Sequence, residues 1–459
     1  MSNPGDGDAT PLTSVQQMAD YLAVGCKPPA AFRIGTEHEK FGFRLDDLAP
    51  PPYEPADGQP GSIRDLLASL RRFDAEPILD GENVIGLKQG GASVSLEPAG
   101  QLELSGAPLE TLHDTKAEFD WHFEQVRSVS QSLKLGFAPL GFHPFATRDA
   151  MPWMPKGRYK IMRRYMPLVG SLGLDMMTRT CTVQVNLDYA SEQDMIRKLR
   201  VSLLLQPLAT ALFANSPFFE GKPNGLLSNR AQVWTDTDNV RSAIPQVFFE
   251  DGFGFERYAA WLVDSVPMYF VYRDSRYIDV AGSSFRDFMN GKLRERIGTH
   301  ATLGDFADHV TTVFTDVRIK RFLEMRGADA GRPDMMLAQS ALWVGLLYSD
   351  AALTAAEAVL RGAGWEDAVA ARNAVPVHGL AAPWRNGTLR ELARDVVQIA
   401  NDGLQSRQRH NLAGQSESIY LEPLMKIISG EPTQAEYWLS AFHGAWRGNV
   451  RRIFVEAAI

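Results

Sequence analysis

The stretch Gly35-Thr-Glu-His-Glu-Lys-Phe-Gly-Phe43 is the most informative part of this chain. As an extended strand, it places Glu37 and Glu39 on one face and His38 on the other, because side chains two residues apart share a face. Two neighbouring carboxylates repel each other unless a proton or a cation lies between them. A hard cation such as Mg²⁺ suits the pair, and Mg²⁺ usually accompanies nucleotide phosphates. Taken alone, the pair is more typical of a solvated strand, since Glu is mostly exposed.

The composition limits the classes of protein to consider. The chain has 459 residues, of which 45% are hydrophobic and 22% charged, as in a globular protein with one large or two intimate domains. A net charge of −8 argues against a general nucleic-acid or anionic-membrane binder. Two cysteines, Cys26 and Cys181, are too few for a disulfide framework or a cysteine-based zinc site. No apolar run is long enough to predict a membrane span, and residues 1–10 do not read as a signal peptide.

A second acidic face is predicted in residues 93–105, which read as a hairpin or a sharply bent strand. Its leucines fall on one face, whereas Glu97, Gln101 and Glu103 fall on the other. By itself, this pattern is also compatible with an amphipathic hairpin that has one solvent-exposed face.

The segment from Arg179 to Asp188 alternates almost perfectly between apolar and polar residues. Its polar face, which includes Gln184 and Asn186, carries short amides and hydroxyls, and these suit an enclosed polar cavity better than open solvent. Cys181 falls on the apolar face, so we expect a core residue and not a nucleophile.

A third strand is predicted from Val317 to Arg326. It places Arg318, Lys320, Glu324 and Arg326 on one face, where the cations would meet phosphate oxygens and Glu324 would meet a metal ion. The other interpretation is an exposed, charged edge strand.

Together these strands predict an α+β fold with a curved antiparallel sheet, a concave polar active-site face, flanking helices and a helical C-terminal part. No phosphate-binding glycine loop of the two common nucleotide folds is present. We expect a disordered or loosely held N-terminus over residues 1–14 and a single large catalytic domain over 15–459. That domain would combine a mixed core (15–334) with a mainly helical part (335–459).

Several long motifs resemble the plant and proteobacterial type of glutamate–cysteine ligase. They are Gly35–Phe43, Leu96–His113, Met154–Tyr159, Leu174–Asp188, Ala214–Phe218, Gly221–Gly225, Trp234–Asp238 and Leu323–Asp329. The resemblance implies a glutamine-synthetase-like sheet that uses ATP and Mg²⁺ to form γ-glutamylcysteine from glutamate and cysteine, through γ-glutamyl phosphate. This is the first step of glutathione synthesis.

The resemblance and the strand patterns assign provisional roles to these residues. The expected metal ligands are Glu37, Glu39, Glu97, Glu103 and Glu324, and the expected catalytic residues are Glu37, Glu39 and Arg326. Phosphate contacts are expected from Arg318, Lys320 and Arg326, with Gln184 and Asn186 as polar groups near the phosphate or substrate. Candidates for binding the substrates are Arg179, Arg230, Arg241 and Trp234.

The sequence departs from the plant pattern at Lys116 and Val280, where cysteines of a regulatory disulfide are expected. With no transit peptide recognised, this predicts a bacterial cytoplasmic enzyme without an intramolecular disulfide switch. The expected partners are small molecules only, with no nucleic acid and no membrane, and the enzyme would be a monomer or a weak homodimer. Two other functions stay open, namely a ligase with another amine acceptor and a non-catalytic nucleotide-binding regulator.

Overall fold

The sheet of this protein is antiparallel and open. The computed structural model describes residues 7–55 and 60–459. Its strands are β1 Ile34–Arg44, β2 Glu76–Asp80, β3 Asn83–Gln89, β4 Ala92–Leu96, β5 Leu102–Ser105, β6 Leu135–Ala138, β7 Thr182–Leu187, β8 Phe218–Phe219, β9 Lys222–Pro223, β10 Ser242–Ala243, β11 Phe270–Arg273, β12 Arg276–Asp279, β13 Phe314–Thr315, β14 Val317–Ile319, β15 Leu323–Asp329, β16 Pro383–Trp384 and β17 Gly387–Thr388. Nine strands form the main sheet in the order β14-β15-β7-β1-β5-β4-β3-β2, with β6 paired to the far end of β1.

Helices cover this sheet and form most of the C-terminal part. They are α1 Val15–Ala23, α2 Ile63–Leu70, α3 Leu112–Ser130, α4 Gly157–Tyr165, α5 Gly173–Arg179, α6 Glu192–Leu212, α7 Asn229–Val233, α8 Phe255–Ser265, α9 Phe285–Met289, α10 Arg294–Ile297, α11 Leu303–Val310, α12 Pro333–Leu347, α13 Asp350–Val359, α14 Trp365–His378, α15 Leu389–Ser406, α16 Glu422–Ile428, α17 Gln434–His443 and α18 Ile453–Glu456. The predicted α+β class, antiparallel sheet and helical C-terminal part are confirmed.

The strand register gathers the polar side chains on one face of the sheet. Glu37 lies opposite Gln184 on β7, and Glu39 lies opposite Glu103 on β5. Further along, Asn186 lies opposite Glu324 on β15. Since residues directly opposite each other point to the same face, these pairs form one continuous polar surface across four strands.

The other face of the sheet is the core side. His38 is fully buried there and packs edge-on against Phe119 of α3, with the ring centroids 4.5 Å apart. Burial lowers the pKa of His38 well below its ordinary value, so a neutral ring is expected. Helix α12 covers the neighbouring strands, where Thr36 and Ser340 share a hydrogen bond of 2.8 Å. Cys181 is buried as well, so its prediction as a core residue is confirmed.

Two predicted strands have different bounds in the structure. The segment from Val317 to Arg326 is a hairpin and not one strand, because the chain turns at residues 320–322 between β14 and β15. The segment that begins at Arg179 becomes a strand only at Thr182, since Arg179 is the last residue of α5. The stretch from residue 215 to residue 245 contains the short helix α7.

The N-terminal segment is held more tightly than expected over its described part, residues 7–14. Leu12 is buried and its N–H donates to the carbonyl of Ala301 at 2.9 Å. Residues 1–6 lie outside the described part of the chain. Among the described residues, none of the helices combines the length and the apolar character needed to cross a membrane. The division into a mixed core and a helical part within one domain stays a prediction.

Candidate active site

A cavity of about 600 Å³ opens on the polar face of the sheet. Nine of the predicted site residues line this cavity, and they are Glu37, Glu39, Glu97, Glu103, Gln184, Asn186, Arg318, Lys320 and Arg326. The cavity has carboxylates from β1, β5 and the β4–β5 turn, and cations from the β14–β15 hairpin. Opposite charges therefore converge in one cleft, as they do in sites that bind phosphate groups and metal ions.

Three carboxylates form the acidic part of the cavity, and two of them are buried. Glu39 accepts a hydrogen bond from the backbone N–H of Thr182 at 2.9 Å, and Glu103 accepts one from the Ser95 hydroxyl at 2.9 Å. Burial, together with the charges of Glu97 and Glu103, raises the pKa of Glu39 well above its usual range. Burial and the charge of Glu103 raise the pKa of Glu97 to about 7. These acids would ionise more easily beside a positive ion.

Glu37 is held by amide side chains from the neighbouring strand. Its carboxylate accepts hydrogen bonds from Asn186 Nδ2 at 2.9 Å and from Gln184 Nε2 at 3.3 Å. The other amide atom of Gln184, Oε1, accepts a hydrogen bond from Arg326. Gln184 therefore connects the carboxylate of Glu37 to the guanidinium of Arg326, and Asn186 holds Glu37 from the same strand as Gln184.

The donor set fits a hard cation, although it is not assembled into a finished metal site. Carboxylate oxygens are the ligands that Mg²⁺ prefers. In the part of the chain that the structure describes, no group of three or more acidic, histidine or cysteine residues stands close enough to hold a metal ion by itself.

Glu324 has a different environment from the other four acids. It is fully buried, and its carboxylate contacts Arg318 Nε at 2.5 Å, Arg326 Nη1 at 3.2 Å and Lys320 Nζ at 3.3 Å. Burial by itself would raise the pKa of Glu324, but these three cations hold it well below the ordinary value. Glu324 is not on the wall of the central cavity. The prediction that it binds metal is therefore not supported by its position, because its charge is already balanced by cations.

Arg230 and Trp234 line a smaller pocket of about 90 Å³ beside the central cavity. The two spaces share Glu39, Glu97 and Arg326 among their lining residues. Arg230 is buried and donates from Nη2 to the carbonyl of Arg326 at 2.8 Å. Arg230 Nε and Trp234 Nε1 are buried without a hydrogen-bond partner among the described residues. A buried donor without a partner marks a place where a polar ligand atom would be favourable.

Arg179 and Arg241 do not line this cavity, and the expectation that they bind substrate stays a prediction that their positions do not support. Arg179 is buried between the rings of Phe142 and Phe219 and pairs with Asp175 at 2.5 Å. Arg241 is fully buried, donates from Nε to Asp238 at 2.7 Å and lies 3.8 Å from the Tyr269 ring centre. Both guanidinium groups join parts of the fold instead of facing the central cavity.

Among the cavity residues that sequence reasoning left without a role are Lys27, Arg33, Arg158 and Tyr159. Lys27 pairs with Asp188 at 2.8 Å and keeps 37% of its side chain exposed, so it lies at the cavity rim. Arg158 and Tyr159 are set by the first turn of α4, where Gly157 N–H donates to Asp80 at 2.7 Å. Gly157 also packs closely against Tyr277. A Cβ atom at position 157 would lie only 2.6 Å from the Tyr277 ring. The Met154–Tyr159 motif was the available signal for Arg158 and Tyr159.

The fold is that of a ligase known from a solved structure. The protein is similar to a glutamate–cysteine ligase of Francisella tularensis in complex with AMP, with a TM-score of 0.53 over 93% of this chain and 88% of that one. The two sequences are 11% identical, so this likeness concerns the fold.

The family follows from sequence comparisons. The model of glutamate–cysteine ligase family 2 matches residues 33–456. The chloroplastic glutamate–cysteine ligase of Nicotiana tabacum is 51% identical over 98% of this chain and 83% of its own length. A chloroplastic glutamate–cysteine ligase of Oryza sativa is 52% identical over 97% of this chain and 87% of its own length. The chain belongs to the glutamate–cysteine ligase family, so the predicted resemblance is confirmed.

The expected cytoplasmic location is contradicted by these relatives. The glutamate–cysteine ligases of Nicotiana tabacum, Oryza sativa and Arabidopsis thaliana are all named as chloroplast proteins. Lys116 and Val280, where cysteines of the plant pattern were expected, therefore do not establish the compartment.

Proposed function

We propose that this protein joins the γ-carboxyl group of glutamate to the amine of cysteine at the expense of ATP, giving γ-glutamylcysteine, ADP and phosphate through γ-glutamyl phosphate. One observation carries the proposal, namely that carboxylates from β1, β5 and the β4–β5 turn and cations from the β14–β15 hairpin line a single cavity in a chain of this ligase family. A carboxylate attacks the γ-phosphorus, and an amine then displaces phosphate from the acyl phosphate. No enzyme nucleophile is needed for either step, so the residues act by positioning and charge neutralisation.

The acidic side of the cavity is the proposed Mg²⁺ site. Glu39, Glu97 and Glu103 would hold the metal, with Glu37 beside them. When bound, Mg²⁺ would neutralise charge on the phosphates of ATP. The raised pKa values of Glu39 and Glu97 support this assignment, since burial and the repulsion between neighbouring carboxylates raise them and a divalent cation would offset both effects.

The cationic side is the proposed phosphate site. Lys320 and Arg326 keep 18% and 14% of their side chains exposed, and both line the cavity. Lys27 and Arg33 add positive charge at the rim. Arg318 is a weaker candidate for a direct contact, because Nε and Nη2 bind Glu324 and Nη1 donates to the carbonyls of Thr311 and Val313. We propose instead that Arg318 fixes Glu324, which in turn fixes Lys320 and Arg326.

The adjoining pocket is the proposed amino-acid subsite. Arg230 would meet a substrate carboxylate, for which its planar guanidinium is well suited. Trp234 and the side chains of Met162, Met176 and Met177 line the same pocket and would pack against the apolar part of a substrate. The shared walls place this subsite next to the proposed metal and phosphate sites, as transfer of a phosphoryl group to a bound carboxylate requires.

The test is a phosphate-release assay with different amine acceptors. Protein, Mg-ATP and glutamate are combined with cysteine, 2-aminobutyrate or ammonia, and the product is identified by mass. We expect release to be fastest with cysteine and to give γ-glutamylcysteine. Faster phosphate release with another amine would favour a ligase with that amine as its acceptor. No release with any acceptor would favour a non-catalytic nucleotide-binding regulator.

Two variants link the assay to the cavity. Glu39→Gln removes a proposed Mg²⁺ ligand and keeps the side-chain size, so we expect it to abolish Mg²⁺-dependent release in a folded protein. Glu357→Gln is the control, since Glu357 pairs with Arg197 on α6 and does not line the cavity. Turnover of Glu39→Gln at the wild-type rate would contradict the metal assignment.

A further inference from the structure

The amino-acid subsite is backed by a helix from the C-terminal part of the chain. Arg372 lies on α14, and 12% of its side chain is exposed. Its Nε donates to the Asp316 carboxylate at 2.8 Å and its Nη2 donates to the backbone carbonyl of Trp234 at 3.0 Å. One guanidinium group therefore joins two segments that are 82 residues apart in the sequence, as their numbers 234 and 316 give.

Each of these two segments leads directly to a residue of the proposed site. Trp234 follows α7, which carries Arg230. The carbonyl of Asp316 accepts a hydrogen bond from the N–H of Arg326 at 3.0 Å. Arg230 then closes the ring, because its Nη2 donates to the carbonyl of Arg326 at 2.8 Å. The ring thus links Arg372, Trp234, Arg230, Arg326 and Asp316.

Helix α14 also holds the beginning of α7. The N–H of Leu227 donates to the carbonyl of Pro376 at 2.7 Å, just ahead of the α7 cap residue Ser228. Both ends of α7 are thus attached to α14. A small pocket of about 30 Å³ lies between Arg230, Trp234, Asp316 and Arg372.

We infer that Arg372 is a positioning residue for the amino-acid subsite. It does not line the central cavity or the subsite, so it acts through the backbone at Trp234 and Asp316. A guanidinium is suited to this task because its rigid fork reaches two acceptors at a fixed angle, whereas a lysine offers one flexible point charge. The expected effect of Arg372 on substrate binding rests on the proposed function, whereas its expected effect on the order of the segment around Trp234 does not.

The test compares two lysine substitutions in closely matched settings. Arg372→Lys is the test variant and Arg407→Lys is the control. Arg407 also lies next to a helix of the C-terminal part, with 13% of its side chain exposed, and donates from Nε to Glu417 at 2.9 Å and from Nη2 to the Glu110 carbonyl at 3.4 Å. It has the same kinds of partners, packs in addition against the ring of Tyr348, and lines neither the central cavity nor the subsite. Both changes should lower the melting temperature similarly.

Only Arg372→Lys should alter the subsite. Hydrogen–deuterium exchange of the substrate-free protein should become about tenfold faster over residues 229–236, and the KM of one amino-acid substrate should rise about tenfold. The KM of ATP and kcat should stay within about twofold, because the phosphate side keeps its own ion pairs. Arg407→Lys should leave exchange in this segment and all three kinetic constants unchanged.

The two readouts separate this inference from the proposed function. Exchange needs no turnover, so unchanged exchange over residues 229–236 overturns the positioning role even in an inactive protein. Changed exchange with an unchanged amino-acid KM in an active enzyme also overturns it. If Arg372→Lys does not fold, Asp316→Asn tests the same link with a milder change, and it should shift exchange and the same KM in the same direction. A wild-type protein without ligase activity would contradict the proposed function alone.

Discussion

Replacing Glu324 by glutamine tests the electrostatic organisation of the phosphate side. The change removes one negative charge at nearly constant volume and leaves Arg318, Lys320 and Arg326 around a neutral amide. Breaking a buried ion pair from one side costs about 3–5 kcal/mol of folding free energy, because the remaining charge is uncompensated. The side chains of Lys320 and Arg326 are 18% and 14% exposed and can regain some water, whereas Arg318 is 6% exposed. We therefore expect the lower end, about 3 kcal/mol.

Urea unfolding of wild type and Glu324→Gln measures this loss, with Glu357→Gln as the control. Glu357 also receives two bonds from an arginine, but it is 36% exposed, so its loss should cost less than about 1 kcal/mol. The pH dependence gives a second check. The pKa of Glu324 is depressed in the folded protein, so its stabilisation is present above the ordinary pKa of 4.5 and is lost as the pH falls toward the folded value. The difference between wild type and variant should therefore shrink below about pH 4.5.

A different result would restore Glu324 as a metal ligand. In that case Glu324→Gln would unfold at the wild-type urea concentration, and its activity would require more Mg²⁺. That combination would refute the conclusion that cations already balance this carboxylate.

Three further changes test other parts of the site. Burial raises the pKa of Glu97 to about 7, so ionisation of Glu97 destabilises the fold as the pH rises from about 4.5 through 7. Mg²⁺ should therefore raise the melting temperature more at pH 8 than at pH 6. Equal shifts of the melting temperature in scanning fluorimetry would contradict this prediction. The Lys27→Ala variant should raise the KM of ATP about fivefold with little change in folding stability, because Lys27 is a cation at the cavity rim and is 37% exposed. An increase confined to the KM of glutamate would assign Lys27 to glutamate binding instead. The Cys181→Ser variant should keep the wild-type turnover and lose about 1–3 kcal/mol of folding stability, since a hydroxyl would be buried in a core position. Inactivation without unfolding would mean that Cys181 takes part in the reaction.

The sequence by itself was sufficient to predict an antiparallel sheet and the polar face of that sheet. Alternation along a strand is a local property, so Glu37 and Glu39 could be assigned to one face of their strand before any strand was paired, whereas the pairing with β5 brings Glu103 to the same face. The absence of long charged side chains beside Gln184 and Asn186 likewise indicated a closed cavity, and both residues lie on its wall. These predictions succeeded because the repeat of two residues does not depend on the rest of the molecule.

The tertiary structure alone decided which charged groups face the cavity and which balance each other. A turn at residues 320–322 brings Arg318 opposite Glu324, so an expected metal ligand becomes the centre of an ion cluster. Arg230 faces the subsite while Arg241 joins buried segments, although both are arginines of the same polar stretch. Lys27 and Arg158 come to the cavity from outside the sheet. The physical reason is that a long charged side chain pairs with whatever opposite charge the fold places within its reach, and local sequence does not contain that information.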